Sequence, residues 1–496
     1  MSFLYSSWAL NYVIFCITIL FLLYKYFTRQ FDYWNKRGVY TSKPVPFFGN
    51  VFDVVIFKRN LSEHIKKLYD ETDEPYFGIF VFDKPVLVLK SPKLIKDILI
   101  KDFHMFCDRS LADGSHNKTI SNFVFFQKNP KWNLTRKKLT SFFTSSMSKA
   151  FFTNIELINQ KFIEHLENIS EPVDAKAIAG HFSTEMIARC FFATDPRCFE
   201  KEPSKFRHCV HRIFQFSVRN GLIQTFYFLK PSLIKLFKLN FLETSVMEYF
   251  HKIFLEAMEC RKDYDGKPVN AVDVVNHLKK KHNGEFPDQY LYISNTMFLL
   301  VAGHETTSSA IGYALYELAV NPDIQEKLRN SVQDNYKTYE GLTYEGVQKN
   351  NYLDMVINET LRKYGLLPVL DRDALADYQF EGTDLVIEKG TAVYIPYFAM
   401  FRDPKYFPNP LKFNPERFAD NTFNSDGYTF FPFGEGPRAC IGKRLGLLAI
   451  AACVSNVVLK FNIEKCEATP DAIEFEPKSL ALQSKDGLKI KLIARE

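Results

Sequence analysis

Residues 433–442 read Phe-Gly-Glu-Gly-Pro-Arg-Ala-Cys-Ile-Gly and place one cysteine, Cys440, where a glycine- and proline-rich loop runs into an apolar helical segment. The loop glycines let the backbone pass close to a flat ligand, and a helix expected from Ile441 aims unpaired N–H groups and its positive dipole end at the sulfur. Such surroundings favour thiolate over thiol. A loop-held thiolate suits an axial ligand of haem iron, the kind that drives oxygen chemistry rather than oxygen storage. The competing reading is an ordinary buried cysteine, and the spacing Phe433-x-x-Gly-x-Arg438-x-Cys440-x-Gly weighs against it.

A second cluster lies in a long helical stretch, about 289–320, whose middle is apolar nearly all round and should run through the core. At its centre stand Ala302, Gly303, His304, Glu305, Thr306 and Thr307. Hydroxyl back-bonding or a local opening there can admit water. Activating dioxygen consumes two protons, and Glu305 and Thr306 over the iron could pass them inward. By itself such a patch is more often a satisfied polar kink, and the cysteine loop reverses that weighting. His304 is given no role.

Glu359 and Arg362, three apart, share a helix face, and Arg417 sits in an irregular stretch ahead of the cysteine loop. A buried network of the three would pin that loop. Trp132 and Arg136 are four apart on an expected helix and, with Arg109, Arg372 and Arg438, could supply donors to the two haem propionates.

These residues need a large scaffold, and 496 residues, 46% hydrophobic and 24% charged, provide one. No linker divides the chain after its first few dozen residues, so one large domain is expected at 51–496, behind an anchor at 1–28 and a proline-containing connector at 29–50. Residues 1–24 carry no charge, and the apolar run is long enough to cross a bilayer. Lys25, Arg29, Lys36 and Arg37 follow while no Lys or Arg precedes, which directs the body to the cytoplasm. Nine cysteines without CxxC spacing suit a reducing compartment. The net charge of +6 is too small and dispersed for nucleic acid but fits a membrane surface or an acidic partner. Residues 76–90 read as a hairpin turning at Asp83-Lys84-Pro85, and 385–398 as another turning at Glu388-Lys389-Gly390. A helical period governs 154–169, 180–193, 206–218, 243–261, 290–320, 323–336 and 351–364. The fold class expected is mainly α with small β-sheets and a single N-terminal transmembrane helix.

In this order along essentially the whole chain, these motifs resemble the cytochrome P450 haem-thiolate monooxygenases, and residues 352–364 and 431–438 are most similar to the insect microsomal, xenobiotic-oxidising branch. The resemblance implies haem b ligated by Cys440, proton delivery by Thr306 and Glu305, and propionate binding by Arg109, Trp132, Arg136, Arg372 and Arg438, with Phe433 beside the cofactor. It implies substrate-facing Phe123, Phe125, Phe298, Val301, Ala302, Leu367, Val369 and Leu480, all apolar, and hence a lipophilic substrate. It also implies dioxygen as co-substrate, electrons from NADPH through a flavoprotein reductase, cytochrome b5 as a candidate second donor, and an endoplasmic reticulum membrane location. Lys131, Lys137, Lys138, Lys443 and Arg444 would form the basic face that receives the reductase. The chain departs from the branch in having Gly365-Leu366 in place of a Pro-Pro pair and Phe401 where His commonly precedes Arg-Asp-Pro. Two alternatives stay open at this point: a reductase-independent haem-thiolate isomerase or dehydratase, and a non-catalytic haem- or lipid-binding protein.

Overall fold

The computed structural model of the protein describes residues 2–215, 217–282, 286, 288–420 and 428–495, with side chains from Trp8 onward. The first helix, Ser2–Thr28, contains Trp8–Thr28, with mean hydropathy 1.8 and none of its apolar window buried. Twenty-one residues at 1.5 Å each span about 32 Å, a bilayer's hydrocarbon core. Among the described residues no other helix is long and apolar enough to cross a membrane.

The segment 29–50, expected as a proline-containing connector, packs against the body. Trp34 is wholly buried, its indole N–H donates to Ile79 O at 3.0 Å, and it lies on Gly78, where an added Cβ would come within 2.2 Å of the ring. Gly78 N–H donates to Tyr40 O, and Asn50 accepts from Phe80 N–H at 2.7 Å through its side chain. The stretch is a lining of the first sheet.

That sheet orders its strands β1 (Tyr76–Val81), β2 (Lys84–Leu89), β7 (Ala392–Ile395) and β4 (Leu370–Asp373). β1 and β2 form the expected hairpin, but the turn is Phe82-Asp83, and Lys84 and Pro85 already belong to β2. Pro85 is tolerated because the parallel pairing of β2 with β7 begins one residue later, at Val86. The second expected hairpin does not form. Val386–Ile387 (β6) pairs with Tyr378–Gln379 (β5), while β7 turns away to sit between β2 and β4. A third sheet joins Val173–Asp174 (β3), Lys489–Ala494 (β9) and Phe461–Glu464 (β8).

The remainder is mainly helical, with helices at Ser145–Glu167, Ala175–Phe192, Thr244–Cys260, Gln289–Val320, Pro322–Thr338 and Asn351–Lys363. The expected helix over 206–218 is two pieces, Lys205–Phe214 and Val218–Leu229, the second capped by Ser217. The central helix, Gln289–Val320, is buried along most of its length, as an all-round apolar helix must be. Gly303 seats Ile187 of the crossing helix Ala175–Phe192, since a Cβ there would come within 2.7 Å of the Ile187 side chain.

Candidate active site

The cysteine loop is shaped by two glycines with positive φ, Gly434 (69°) and Gly436 (72°). Gly436 has no substitute: a Cβ would fall 2.0 Å from Leu99 O. Cys440 N–H donates to Phe433 O at 2.8 Å, closing the loop over Phe433. The Cys440 side chain is open to an internal cavity rather than to the outer surface, and the Gly442 N–H donates to its sulfur. The following helix starts at Lys443, two residues later than expected. The setting expected from the sequence favours thiolate over thiol; burial pushes the thiol up, and the Gly442 N–H, Arg136, Arg109 and Lys443 partly oppose it.

The central helix presents Phe298, Val301, Ala302, Glu305 and Thr306 to the same cavity as Cys440. The helix is unbroken, so the polar patch is held by back-bonding and not by a local opening: Thr306 Oγ1 donates to Ala302 O at 2.7 Å. Glu305 accepts at Oε1 from Lys176 Nζ (2.8 Å) and Ser309 Oγ (3.1 Å), while its Oε2 is buried without a partner. His304 points away from this space. Its Nδ1 meets Ser183 and Thr184 at 3.1 Å and its ring stacks on Phe214, and burial lowers it to about 4.

Arg109, Arg136, Arg372, Arg438 and Trp132 all line the cavity. Arg438 lies over the Trp132 ring (4.1 Å) and Arg109 over Phe125 (3.9 Å), which fixes both guanidinium planes. Arg438 binds Cys107 O through Nε and Gln127 O (2.9 Å) through Nη2, so much of its donor capacity ties the loop to the protein. Arg109 Nε and Arg372 Nε are buried without partners. Burial and mutual repulsion lower Arg438 to about 9 and Arg372 to about 10. A cluster of under-satisfied cations beside a lone sulfur fits a flat ligand carrying two carboxylates, which is the charge pattern of haem.

Of the expected substrate-facing residues, Phe125, Phe298, Val301, Ala302, Leu367 and Leu480 line the cavity, and Phe123 and Val369 do not. The 3-10 turn Ile120–Asn122 drives Phe123 into the core, one ring behind, where it packs on Phe298 at 5.3 Å and Phe126 at 6.3 Å. Val369 lies on the approach to β4, and Leu366, Leu367 and Leu370 face the cavity instead. Sequence reasoning missed the aromatic wall of Phe126, Phe214, Phe228 and Phe241, and a polar corner of Gln215, Asn220 and Gln224. No motif marks them; they come from helices and loops that only the tertiary fold brings together.

Glu359 and Arg362 meet in full burial, with Arg417 at their edge. Arg362 forks onto both Glu359 oxygens (2.7 and 2.9 Å) and donates to Phe401 O and Pro410 O at 2.8 Å. Arg417 Nε reaches Glu359 at 3.3 Å, and Asn414 N–H donates to it at 2.9 Å. The segment clamped directly is 401–417, not the cysteine loop as expected. Phe401 carries the constraint onward through ring contacts with Phe430 (5.2 Å) and Phe431 (5.7 Å). On the cysteine side Lys131, Lys137, Lys443 and Arg444 are exposed, whereas Lys138 is paired with Asp288 at 2.6 Å.

A mainly helical body around one buried helix, with one cysteine sharing an apolar cavity with that helix, is the frame of a haem monooxygenase. The cytochrome P450 family model matches residues 40–492. Cytochrome P450 6j1 of Blattella germanica is 34% identical over 483 residues, covering 96% of both chains. Cytochrome P450 6a2 of Drosophila melanogaster is 32% identical, over 96% of this chain and 98% of its own, and cytochrome P450 6B1 of Papilio polyxenes is 31% identical over 98% and 100%. The chain belongs to the cytochrome P450 family and is a monooxygenase of the insect type, a family whose haem iron carries a thiolate ligand.

Proposed function

We propose that this protein is a membrane-anchored monooxygenase of the endoplasmic reticulum, with its body in the cytoplasm, that inserts one atom of dioxygen into a lipophilic substrate using NADPH-derived electrons from a flavoprotein reductase. The substrate is a xenobiotic such as a plant toxin or insecticide, or an endogenous lipid or hormone. The observation that carries this reading is that Cys440 and the Glu305-Thr306 pair line one apolar cavity. Cys440 would ligate the iron, with Phe433 beside it, and Arg109, Arg136, Arg372, Arg438 and Trp132 would take the propionates. When bound, haem supplies the activation of dioxygen.

The chain's own groups do the rest. Phe125 and Phe298, stacked at 5.5 Å, form an apolar wall that excludes water and receives the substrate. Thr306 now donates to Ala302 O; rotating its hydroxyl off that carbonyl would turn its hydrogen into the cavity. Glu305 Oε2, without a partner, is the next oxygen able to hold a proton. Thr306→Ala is expected to raise the hydrogen peroxide formed per NADPH and lower product per NADPH roughly tenfold or more. Unchanged coupling in that variant refutes the relay.

Reconstitution with reductase tests the whole reading. NADPH-dependent product formation supports it; turnover that needs no reductase indicates an isomerase or dehydratase, and haem binding without turnover a non-catalytic binder. Lys137→Glu combined with Lys443→Glu is expected to lower reductase-supported turnover roughly tenfold at low ionic strength and flatten its salt dependence. Turnover and salt response equal to those of the parent protein would remove the basic face as the docking site.

A further inference from the structure

Glu305 is held from outside its own helix by Lys176, the second residue of the helix Ala175–Phe192. Lys176 is fixed at both ends. Its backbone N–H donates to the capping side chain of Asp174 at 2.9 Å, and its Cα presses on Gly312 of the central helix, where an added Cβ would come within 2.9 Å. Its ammonium bridges Glu305 Oε1 (2.8 Å) and Gln483 Oε1 (2.6 Å). Gln483, on the C-terminal segment, itself lines the cavity. The Lys176 side chain keeps 22% of its surface exposed, against 9% for Glu305, so the pair runs from the cavity wall toward solvent. Ser309 and Lys176 both take Oε1, which leaves Oε2 as the buried oxygen with no partner.

We propose that Lys176 is a positioning residue for the monooxygenase reaction: it holds Glu305 by one oxygen and so leaves the other oxygen free to pass a proton at the cavity. This rests on the proton-delivery reading of Glu305 above. His304, kept neutral down to about 4 by burial, and Tyr313, whose phenol burial pushes far above its ordinary value, lie near Glu305 and carry no charge between pH 5 and 9, so Lys176 is the cation that meets its carboxylate. Arg362 and Arg402 cannot substitute for it: the first is occupied by Glu359, Phe401 and Pro410, the second by Lys363 O.

The test compares Lys176→Gln and Lys176→Arg in the haem-loaded protein, with an intact thiolate spectrum as the check of folding and Lys176→Met as substitute should the glutamine variant fail it. The first readout needs no turnover. Infrared spectroscopy follows the carboxyl bands that disappear in Glu305→Gln, which are expected to shift in Lys176→Gln, where Oε1 loses its ammonium, and to return toward the parent position in Lys176→Arg. Product per NADPH should fall roughly threefold or more in Lys176→Gln and recover in Lys176→Arg. Bands equal to the parent's in Lys176→Gln overturn the proposal. If the bands shift while Glu305→Gln leaves coupling untouched, Lys176 does position the carboxylate and it is the proton-delivery reading that fails.

Discussion

In the Cys440→Ser protein, the reduced, carbon-monoxide-bound difference spectrum is expected to lose its red-shifted Soret band entirely, and reductase-supported turnover to fall to background. The argument starts from the sulfur's surroundings. Burial opposes its ionisation, and one N–H from Gly442 with three nearby cations partly compensates, so under the proposed haem ligation the ligand must be an atom that iron can deprotonate. A serine hydroxyl, less acidic by several units and a harder donor, does not meet that need. Scaffold stability should change by no more than about 1 kcal/mol, because the loop is held by Gly436 against Leu99 and by the Cys440 N–H bond to Phe433 O, neither of which involves sulfur. A folded Cys440→Ser protein that keeps the band would place the iron ligand elsewhere and remove the basis of the proposed chemistry.

The second large effect is expected at Arg362. Truncation to alanine leaves the Glu359 carboxylate buried without its bidentate partner and strips Phe401 O and Pro410 O of their donor. Breaking one side of a buried pair costs about 3–5 kcal/mol. That is a large share of the roughly 5–15 kcal/mol that holds a domain together. Arg417→Ala should cost less, about 1–3 kcal/mol, since it removes one longer bond to Glu359 and one to Asn409 O at the surface. Because Phe401 relays the clamp to Phe430 and Phe431 just ahead of the cysteine loop, haem retention should fall with stability. The measurement is denaturant titration of the detergent-solubilised protein, followed both by the haem band and by far-ultraviolet circular dichroism. Equal midpoints for Arg362→Ala and the parent would contradict the buried-clamp account, and loss of fold with haem retained would sever the relay.

The parts legible in the sequence are those whose contacts are local or whose residues have few alternatives. The fold class, the cysteine loop, the central helix and the helix carrying Glu359 and Arg362 are short-range patterns. The Thr306 back-bond to Ala302 spans one helical turn. Where partners are distant, the pattern is silent or misleading. Residues 385–398 contain two strands and a plausible turn, but β6 and β7 each find a better partner elsewhere. Phe123 and Phe125 have the same side chain two residues apart, and only the 3-10 turn before them sends one to the core and the other to the cavity. Lys176 has no motif at all, since what distinguishes it is the Gly312 seat on another helix. The proximity of Glu359 and Arg362 is read from spacing, whereas the segment they clamp is set by the path of the chain through 401–417.

The buried Trp34 alters how the body meets whatever its first helix enters. Only residues 29–33 separate the end of that helix from a side chain locked under Gly78, and they are turned rather than extended, with Phe31 N–H on Thr28 O and Tyr33 N–H on Gln30 O. Arg29 also reaches Asp83 at 3.3 Å, and Phe27 packs on Phe47 at 5.3 Å. Five residues could stretch to roughly 18 Å if free. Folded down in this way they act as a wrist and not a leash, so the angle between the first helix and the body is written into the first sheet and would be inherited by every variant that keeps Gly78.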